Sequence, residues 1–419
     1  MSDGGNQESV VIVGAGIIGI GCAQYLAKAG FKVTVIDKGS IAAACSAYNC
    51  GYICPSHVPP LTEPGAIGTA IKSMFNPQSP FRVKPRFDPS LWLWMLQFAK
   101  RCNHGQVLSA GKHLQAILDA SMDEYKKLIP ELQLDCEWEE KGLLYVLQTD
   151  KGMESFAKMD KMLTEEFGVS ANRIEGAKLP DFDPGFKPGL AGAFHYPDDT
   201  SVRPESLNQS WAKSLQSQGI EFVENCELQA VRKSAGRITS ISTSQREFEA
   251  DHFVFAMGAW SQRWSQELEC KIPIQPGKGY SMTMERPENS PTHPVLFPEH
   301  KVGVSPFENG FRLGSMMEFA GFDTTIPAAR IQQLRDSARP YLVASVDGDA
   351  KITWYGWRPM TWDSLPVIGP TPNFQNGYLA TGHNMLGLSL APATGRLVTE
   401  MITGESPYIA AEPYSPTRF

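Results

Sequence analysis

The chain has 419 residues, 42% hydrophobic and 20% charged. That is enough apolar sequence for a large core, and the length predicts two or three domains. This composition excludes a disordered chain, a collagen and a coiled coil, and the net charge of −7 argues against a nucleic-acid footprint. Eight cysteines are too sparse for a disulfide scaffold. No CxxC pair occurs, and the three residues between Cys50 and Cys54 do not match a zinc spacing, so reduced thiols and no metal site are expected. Glycine (37) and proline (31) are abundant, which predicts many turns and close backbone approaches.

Residues Val10 to Ala27 are nearly continuous apolar, long enough to suggest a signal peptide or a membrane span. Asp3 and Glu8 precede them with no Lys or Arg, and four glycines interrupt them. Both features oppose that reading. The run divides better into a strand over Ser9–Val13, a turn Gly14-Ala15-Gly16-Ile17-Ile18-Gly19, a helix over Ile20–Ala29 closed by Gly30, and a second strand over Phe31–Ile36 ending at Asp37. This βαβ unit carries GxGxxG in its proper context. The first glycine permits the tight turn, the second lets backbone approach a pyrophosphate, and the third lets helix and strand pack. The helix N-terminus offers free N–H groups to phosphate. Asp37 stands where a carboxylate accepts hydrogen bonds from a ribose diol. NAD and FAD share this half, so the motif alone leaves both open.

After Asp37 come a small-residue segment, Ser46 to Tyr52, and a proline-rich loop (Pro55, Pro59, Pro60, Pro64). Helices are expected over 66–75, 90–101, 113–129 and 152–167, with a strand over 142–148. The 90–101 stretch, LWLWMLQF followed by Lys100-Arg101, reads either as a buried helix or as a surface that contacts a membrane or a quinone. A helix over 206–218 opens at Pro204-Glu205 and is capped by Gly219. A strand over 220–223, an antiparallel ribbon (228–232, 237–243, 247–250) and a buried strand over 251–256 running into Gly258 follow. Residues 272–357 are strand-rich with one helix at 327–343. A strand and glycine turn over 377–383 lead to a helix over 391–403. The dinucleotide domain is therefore expected from three pieces, 8–58, 195–268 and 357–407, with 59–194 and 269–356 forming a second domain. An interleaved arrangement with a late glycine turn favours FAD, whose ring system lies between two domains.

With these motifs in order, the sequence resembles FAD-dependent amino acid dehydrogenases and oxidases of the D-amino acid oxidase and glycine oxidase superfamily, the D-amino acid dehydrogenase branch most of all. The resemblance spans residues 9–407. Its most specific blocks are Gly356-Trp357-Arg358-Pro359-Met360-Thr361-Trp362-Asp363-Ser364-Leu365-Pro366-Val367-Ile368-Gly369 and Thr381-Gly382-His383-Asn384-Met385-Leu386-Gly387. It implies an α/β fold in which a Rossmann-type FAD-binding domain is interleaved with an α+β substrate domain containing an antiparallel sheet.

The resemblance also implies roles. Non-covalent FAD would be held by Gly14, Gly16, Ile17, Ile18, Gly19, Asp37 and Lys38, by Ser46, Asn49, Cys50 and Gly51, and by Leu228 near the adenine. Gly258, Ala259, Trp260 and Arg358 would complete the cradle. Gly382, His383, Asn384, Leu386 and Gly387 would bring backbone N–H groups to a flavin carbonyl. Arg358 would clamp the substrate carboxylate, with Tyr280, Tyr52 and His57 around the substrate. Tyr280 is read either as a carboxylate partner or as pocket packing, and Tyr52 and His57 either as pocket wall or as plain loop. Arg312 and Glu318 share one strand and are expected to pair with each other unless they face the substrate.

The implied activity is oxidative deamination of an amino acid, D- by resemblance, to the 2-oxo acid. Hydride passes from Cα to flavin N5, and electrons go on to a quinone or another carrier. A glycine-, sarcosine- or cyclic imino acid-type oxidase or dehydrogenase is the alternative. Cys45, Trp362 and the stretch 56–60 depart from the family pattern, which leaves the substrate open. No nucleic-acid partner and no transmembrane segment are expected. The expected location is cytoplasmic, with room for peripheral contact at the inner membrane.

Overall fold

A computed structural model describes residues 7–74, 76 and 79–419. Its first layer is a six-stranded sheet in the order Val367–Pro370, Gly377–Thr381, His252–Phe255, Ser9–Val13, Lys32–Ile36, Glu221–Val223. Every pairing is parallel except the first. The central strands carry little but apolar residues because helices and loops cover both faces, and Ile12, Val35 and Val254 have no exposed surface.

The helix after the glycine turn starts at Ile17, not at Ile20, and runs to Lys28. Gly19 and Gly21 stay inside it despite their low propensity because their missing side chains make room. A Cβ on Gly19 would lie 1.8 Å from the Gly14 carbonyl oxygen, and one on Gly21 would lie 2.6 Å from that of Ala391. The last long helix also begins early, at Gly387, and ends at Thr403. Pro392 within it has no N–H for the carbonyl four residues back. That orphan, the Leu388 carbonyl, accepts from the Tyr125 hydroxyl at 2.7 Å.

Tyr125 lies on the helix His104–Glu131, which extends nine residues upstream of the expected start because Asn103 caps it, accepting from the Gln106 amide at 3.1 Å. This helix buries Leu114, Ile117 and Leu118 in the same core as Val10 and Ile12. This part of 59–194 thus shares its core with the parallel sheet. The helices Ala66–Met74, Pro89–Arg101 and Asp150–Phe167 fall close to their expected places, and residue 75 lies outside the described residues. The helix expected at 327–343 is shorter, Ala328–Ala338.

The second layer is a nine-stranded, mainly antiparallel sheet. Its order is Ile352–Thr361, Ile274–Met284, Gly310–Phe319, Val302–Phe307, Val295–Phe297, Leu143–Leu147, Gly192–Tyr196, Asn172–Glu175, with Phe81–Val83 added beside Gly310–Phe319. The expected bounds at 195 and 357 fall inside two of these strands, Gly192–Tyr196 and Ile352–Thr361, whose ladders continue unbroken. The antiparallel ribbon is present over Leu228–Ser234, Arg237–Thr243 and Glu247–Glu249.

One irregularity shapes the site. Ser315 and Met316 take positive φ, so Tyr280 pairs with Ser315 but Lys278 with Glu318. This bulge inverts the alternation of faces along the strand. Arg312 and Glu318, six residues and so about 20 Å apart along the strand, do not meet. Arg312, fully buried, makes a two-pronged pair with Glu205 at 2.8 and 3.1 Å. Glu318 faces Arg82 and Arg330 at 3.3 and 3.8 Å.

Candidate active site

A cavity of about 1250 Å³ runs from the glycine turn, between the two sheets, to the proline-rich loop. It exceeds the volume of an ordinary small-ligand pocket. At one end, Gly14, Gly16, Ile17 and Ile18 form its floor, with Asp37, Lys38 and Leu228 beside them. Gly14 has φ +115°, and a Cβ there would lie 2.4 Å from the Ala256 carbonyl oxygen. The Ile17 amide, in the first turn of its helix, is met by Ser46 Oγ at 3.0 Å. The Asp37 carboxylate accepts from the Ala15 and Gly39 amides, each at 2.8 Å, which locks the turn and leaves lone pairs for a diol. Lys38 Nζ lies 3.6 Å from the Trp260 ring centroid, and burial pushes its ammonium down from the usual value. Glycine backbone, helix N-terminus and flanking carboxylate together fit an adenosine diphosphate half. Gly19 and Gly382 are the two expected cradle residues that do not line the cavity. Gly19 packs against Gly14, and Gly382, at φ +73°, packs against Thr361 and Val367.

Several expected contacts have their side chains committed elsewhere. Asn49 donates to the Cys45 and Ser46 carbonyls and accepts from the Gly51 amide. Asn384 accepts from the Thr361 amide and donates to the Ser364 carbonyl, while its own N–H goes to the Pro359 carbonyl. The Leu386 N–H is taken by the His383 carbonyl. Of the turn residues named, Asn384 and Leu386 thus have their N–H groups on protein carbonyls, while Gly387, first residue of its helix, stands at a helix N-terminus. His383 also faces the cavity. Its Nε2 lies 2.9 Å from Thr394 Oγ1, and burial pushes its imidazole down to about 3.

At the other end, Arg358 stands on Ile352–Thr361. Its guanidinium lies across Gly279 of the neighbouring strand, where a Cβ would come within 2.5 Å of both terminal nitrogens. Nη1 donates to the Met316 carbonyl at 2.5 Å, which the bulge turns towards it. Among the described residues Arg358 has no carboxylate partner. Burial pushes the guanidinium down from its ordinary value, opposed by the thiols of Cys45 and Cys50. A desolvated cation without a counter-ion is costly, and it faces a cavity that would admit an anion.

Tyr280, Tyr52 and His57 line the same space. The Tyr280 hydroxyl donates to Glu318 Oε2 at 2.8 Å, so its proton is spent away from a substrate, and burial and Glu318 both raise the phenol. The Tyr52 hydroxyl lies 2.8 and 3.0 Å from the Val295 and Val304 carbonyls and ties two strands together. His57 sits edge-on to Tyr145 at 6.2 Å, and burial pushes it down to about 4, so it is neutral at pH 7. Sequence reasoning missed Gly279, Tyr145 and Ser56. The repeated glycine of Gly277-Lys278-Gly279, within a strand, was the available signal for the first.

The glycine cradle and the long cavity between a parallel and an antiparallel sheet define a dinucleotide-binding protein whose cavity runs on past the dinucleotide half to Arg358. The family model of FAD dependent oxidoreductases (DAO) matches residues 9–401, and the chain belongs to that family, with FAD as its cofactor. Among curated relatives it is 31% identical to the D-amino acid dehydrogenase of Agrobacterium fabrum over 417 residues, 98% of this chain and 99% of that one. It is 31% identical to that of Vibrio vulnificus over 401 residues, 94% and 96% of the two chains. Among solved structures it superposes on glycine oxidase from Geobacillus kaustophilus with a TM-score of 0.77 at 21% identity, covering 99% and 100% of the two chains. It superposes on L-proline dehydrogenase from P. horikoshii with a TM-score of 0.72 at 20% identity, covering 99% and 98%.

Proposed function

We propose that the protein is an amino acid dehydrogenase that oxidises the Cα–N bond of a D-amino acid, releasing the 2-oxo acid and ammonia after the imine hydrolyses. One observation carries this reading: Arg358, desolvated, propped on Gly279 and lacking a carboxylate partner, presents a guanidinium to the cavity. A planar cation of that kind binds a carboxylate through two parallel hydrogen bonds. FAD, when bound, supplies the two-electron acceptor. The chain's residues place the substrate: Arg358 fixes one end, His57 and Tyr145 close a wall, and Tyr280 and Tyr52 fill space. Orientation and exclusion of water account for most of the rate. The identity of the first relatives as D-amino acid dehydrogenases supports the substrate class. The cofactor is held without a covalent bond, so acid precipitation should leave the yellow colour in the supernatant. The test of the reading is anaerobic bleaching of the flavin by a panel containing D-alanine, glycine, D-proline and hydroxyproline. D-alanine should bleach fastest; no bleaching by any amino or imino acid overturns it.

The electrons, in this reading, pass to a lipid-soluble carrier such as a quinone, with the protein lying against the cytoplasmic face of the membrane. The helix Pro89–Arg101 supports this. It buries Leu91 and Trp94 but exposes Trp92, Leu93 and Leu96, at 41, 54 and 52%. Ile71 of the helix Ala66–Met74 is exposed at 55%, and Lys72, Lys100 and Arg101 stand on the same two helices. Trp94, Met95 and Phe98 meanwhile line the cavity. Among the described residues no helix is long and apolar enough to cross a membrane, so the contact would be peripheral. Leu93→Asp with Leu96→Asp should abolish co-flotation with anionic vesicles and slow quinone reduction while leaving bleaching by amino acid unchanged.

A further inference from the structure

Behind the cavity wall lies a carboxylate that the proposed reaction leaves unused. Asp199 is 1% exposed. Its hydrogen-bond partners are the Ser56 amide at 3.0 Å and the Ser56 hydroxyl at 2.5 Å, neither of them a cation. Ser56, His57 and Tyr145 line the cavity in front of it.

The groups facing Asp199 can be taken element by element. The loop over 54–57 brings Cys54 and Ser56, and its own turn brings Asp198. The strand Leu143–Leu147 brings Tyr145. The strand Gly192–Tyr196 brings Tyr196, whose hydroxyl donates to Asp160. Desolvation raises Asp199 to about 7, with Asp198 adding to the rise and the Ser56 hydrogen bonds opposing it. His57, pushed down to about 4, is a weak base at neutral pH, and burial pushes Tyr145 and Tyr196 upward.

Oxidation of a Cα–N bond needs the nitrogen lone pair, so a substrate that arrives as an ammonium must first lose a proton. We propose that Asp199, acting through the Ser56 hydroxyl, takes that proton. This rests on the amino acid reading above. An N–H bond of the ammonium breaks and its proton goes to Ser56 Oγ. The proton already on Ser56 moves to Asp199 Oδ2. The amine keeps the lone pair, and the carboxylate becomes a neutral carboxyl that releases its proton to water once product has left. Ser56 touches the substrate; Asp199 is the positioning residue that holds Ser56 and receives the proton.

The test is the pH profile of anaerobic flavin reduction in the holoenzyme, with whichever amino acid bleaches it fastest. In the wild type, kcat/KM should rise through an inflection near 7. Asp199→Asn should be slower at neutral pH by about 10²-fold, the lower end of general-base effects, and should lose that inflection, recovering only where the substrate ammonium itself ionises. Its affinity for a carboxylate competitor held by Arg358 should be unchanged. A uniform loss with the inflection kept in Asp199→Asn overturns the proposal. Ser56→Ala, which leaves the carboxylate in place, should also slow reduction, and a wild-type rate in that variant overturns the proposal even if the Asn variant does not fold. Failure of every amino acid to bleach the wild-type flavin overturns both readings; bleaching with an unaltered profile in the variants overturns this one alone.

Discussion

The two ends of the cavity are built differently. The end at Gly14–Asp37 is made of backbone: a strand, a turn and a helix N-terminus within thirty residues of sequence, closed by a carboxylate that bonds two main-chain amides. The end at Arg358 is made of side chains on strands far apart in the sequence, and its geometry depends on a bulge at Ser315–Met316 and on an absent side chain at Gly279. A backbone site is sensitive to any added atom and indifferent to most side-chain chemistry. A side-chain site is the reverse. Substitutions at the two ends should therefore fail in different ways.

The largest effect is expected at the backbone end. Overpacking costs about 1–3 kcal/mol where neighbours can move. At Gly19 the neighbour of an added Cβ is the Gly14 carbonyl, 1.8 Å away, and it cannot move without opening the phosphate turn. Gly19→Ala should yield protein without flavin, read as loss of visible absorbance in the purified chain and a melting temperature insensitive to added FAD. Next comes Arg358→Ala. Hydrogen bonds to charged groups contribute about 1.5–3 kcal/mol, so KM should rise by about 10- to 150-fold while flavin content stays at the wild-type level. Thermal stability should hold or improve, since a buried cation without a counter-ion is removed. Arg358→Lys should not restore binding, because an ammonium lacks the planar fork. Loss of flavin with KM unchanged would exchange the roles of the two ends.

The same contrast explains what could be read from sequence. The Gly14–Asp37 unit follows from spacing alone because each of its contacts is local. Arg358 is found through its motif, but its support is not: Gly279 is 79 positions away in sequence and meets it only through strand register. Arg312 and Glu318 are six apart, about 20 Å along a strand, too far to pair; each finds its partner on another element, Glu205 for Arg312 and Arg82 with Arg330 for Glu318, and no local residue pattern announces those partners. The turn over 382–387 is legible in the sequence, but not which of its N–H groups are spent: those of Asn384 and Leu386 go to the carbonyls of Pro359 and His383. The helix starts at Ile17 and Gly387 were placed late because glycine and proline are penalised by propensity, whereas here close packing and the Tyr125 hydroxyl offset the penalty.

Tyr280 sharpens the comparison with the smallest expected effect. It lines the Arg358 end of the cavity, but its hydroxyl donates to Glu318, and Glu318 keeps Arg82 and Arg330 as neighbours if that bond is lost. Removing the hydroxyl therefore strands no charge. Tyr280→Phe should cost about 1 kcal/mol of stability, the net value of one hydrogen bond, and should leave KM within about threefold of wild type. A rise in KM comparable to that of Arg358→Ala would mean that the phenol leaves Glu318 for the substrate carboxylate when substrate binds. The Arg358 end would then be organised by its ligand rather than in advance of it, the one respect in which it would differ in kind from the preformed backbone end.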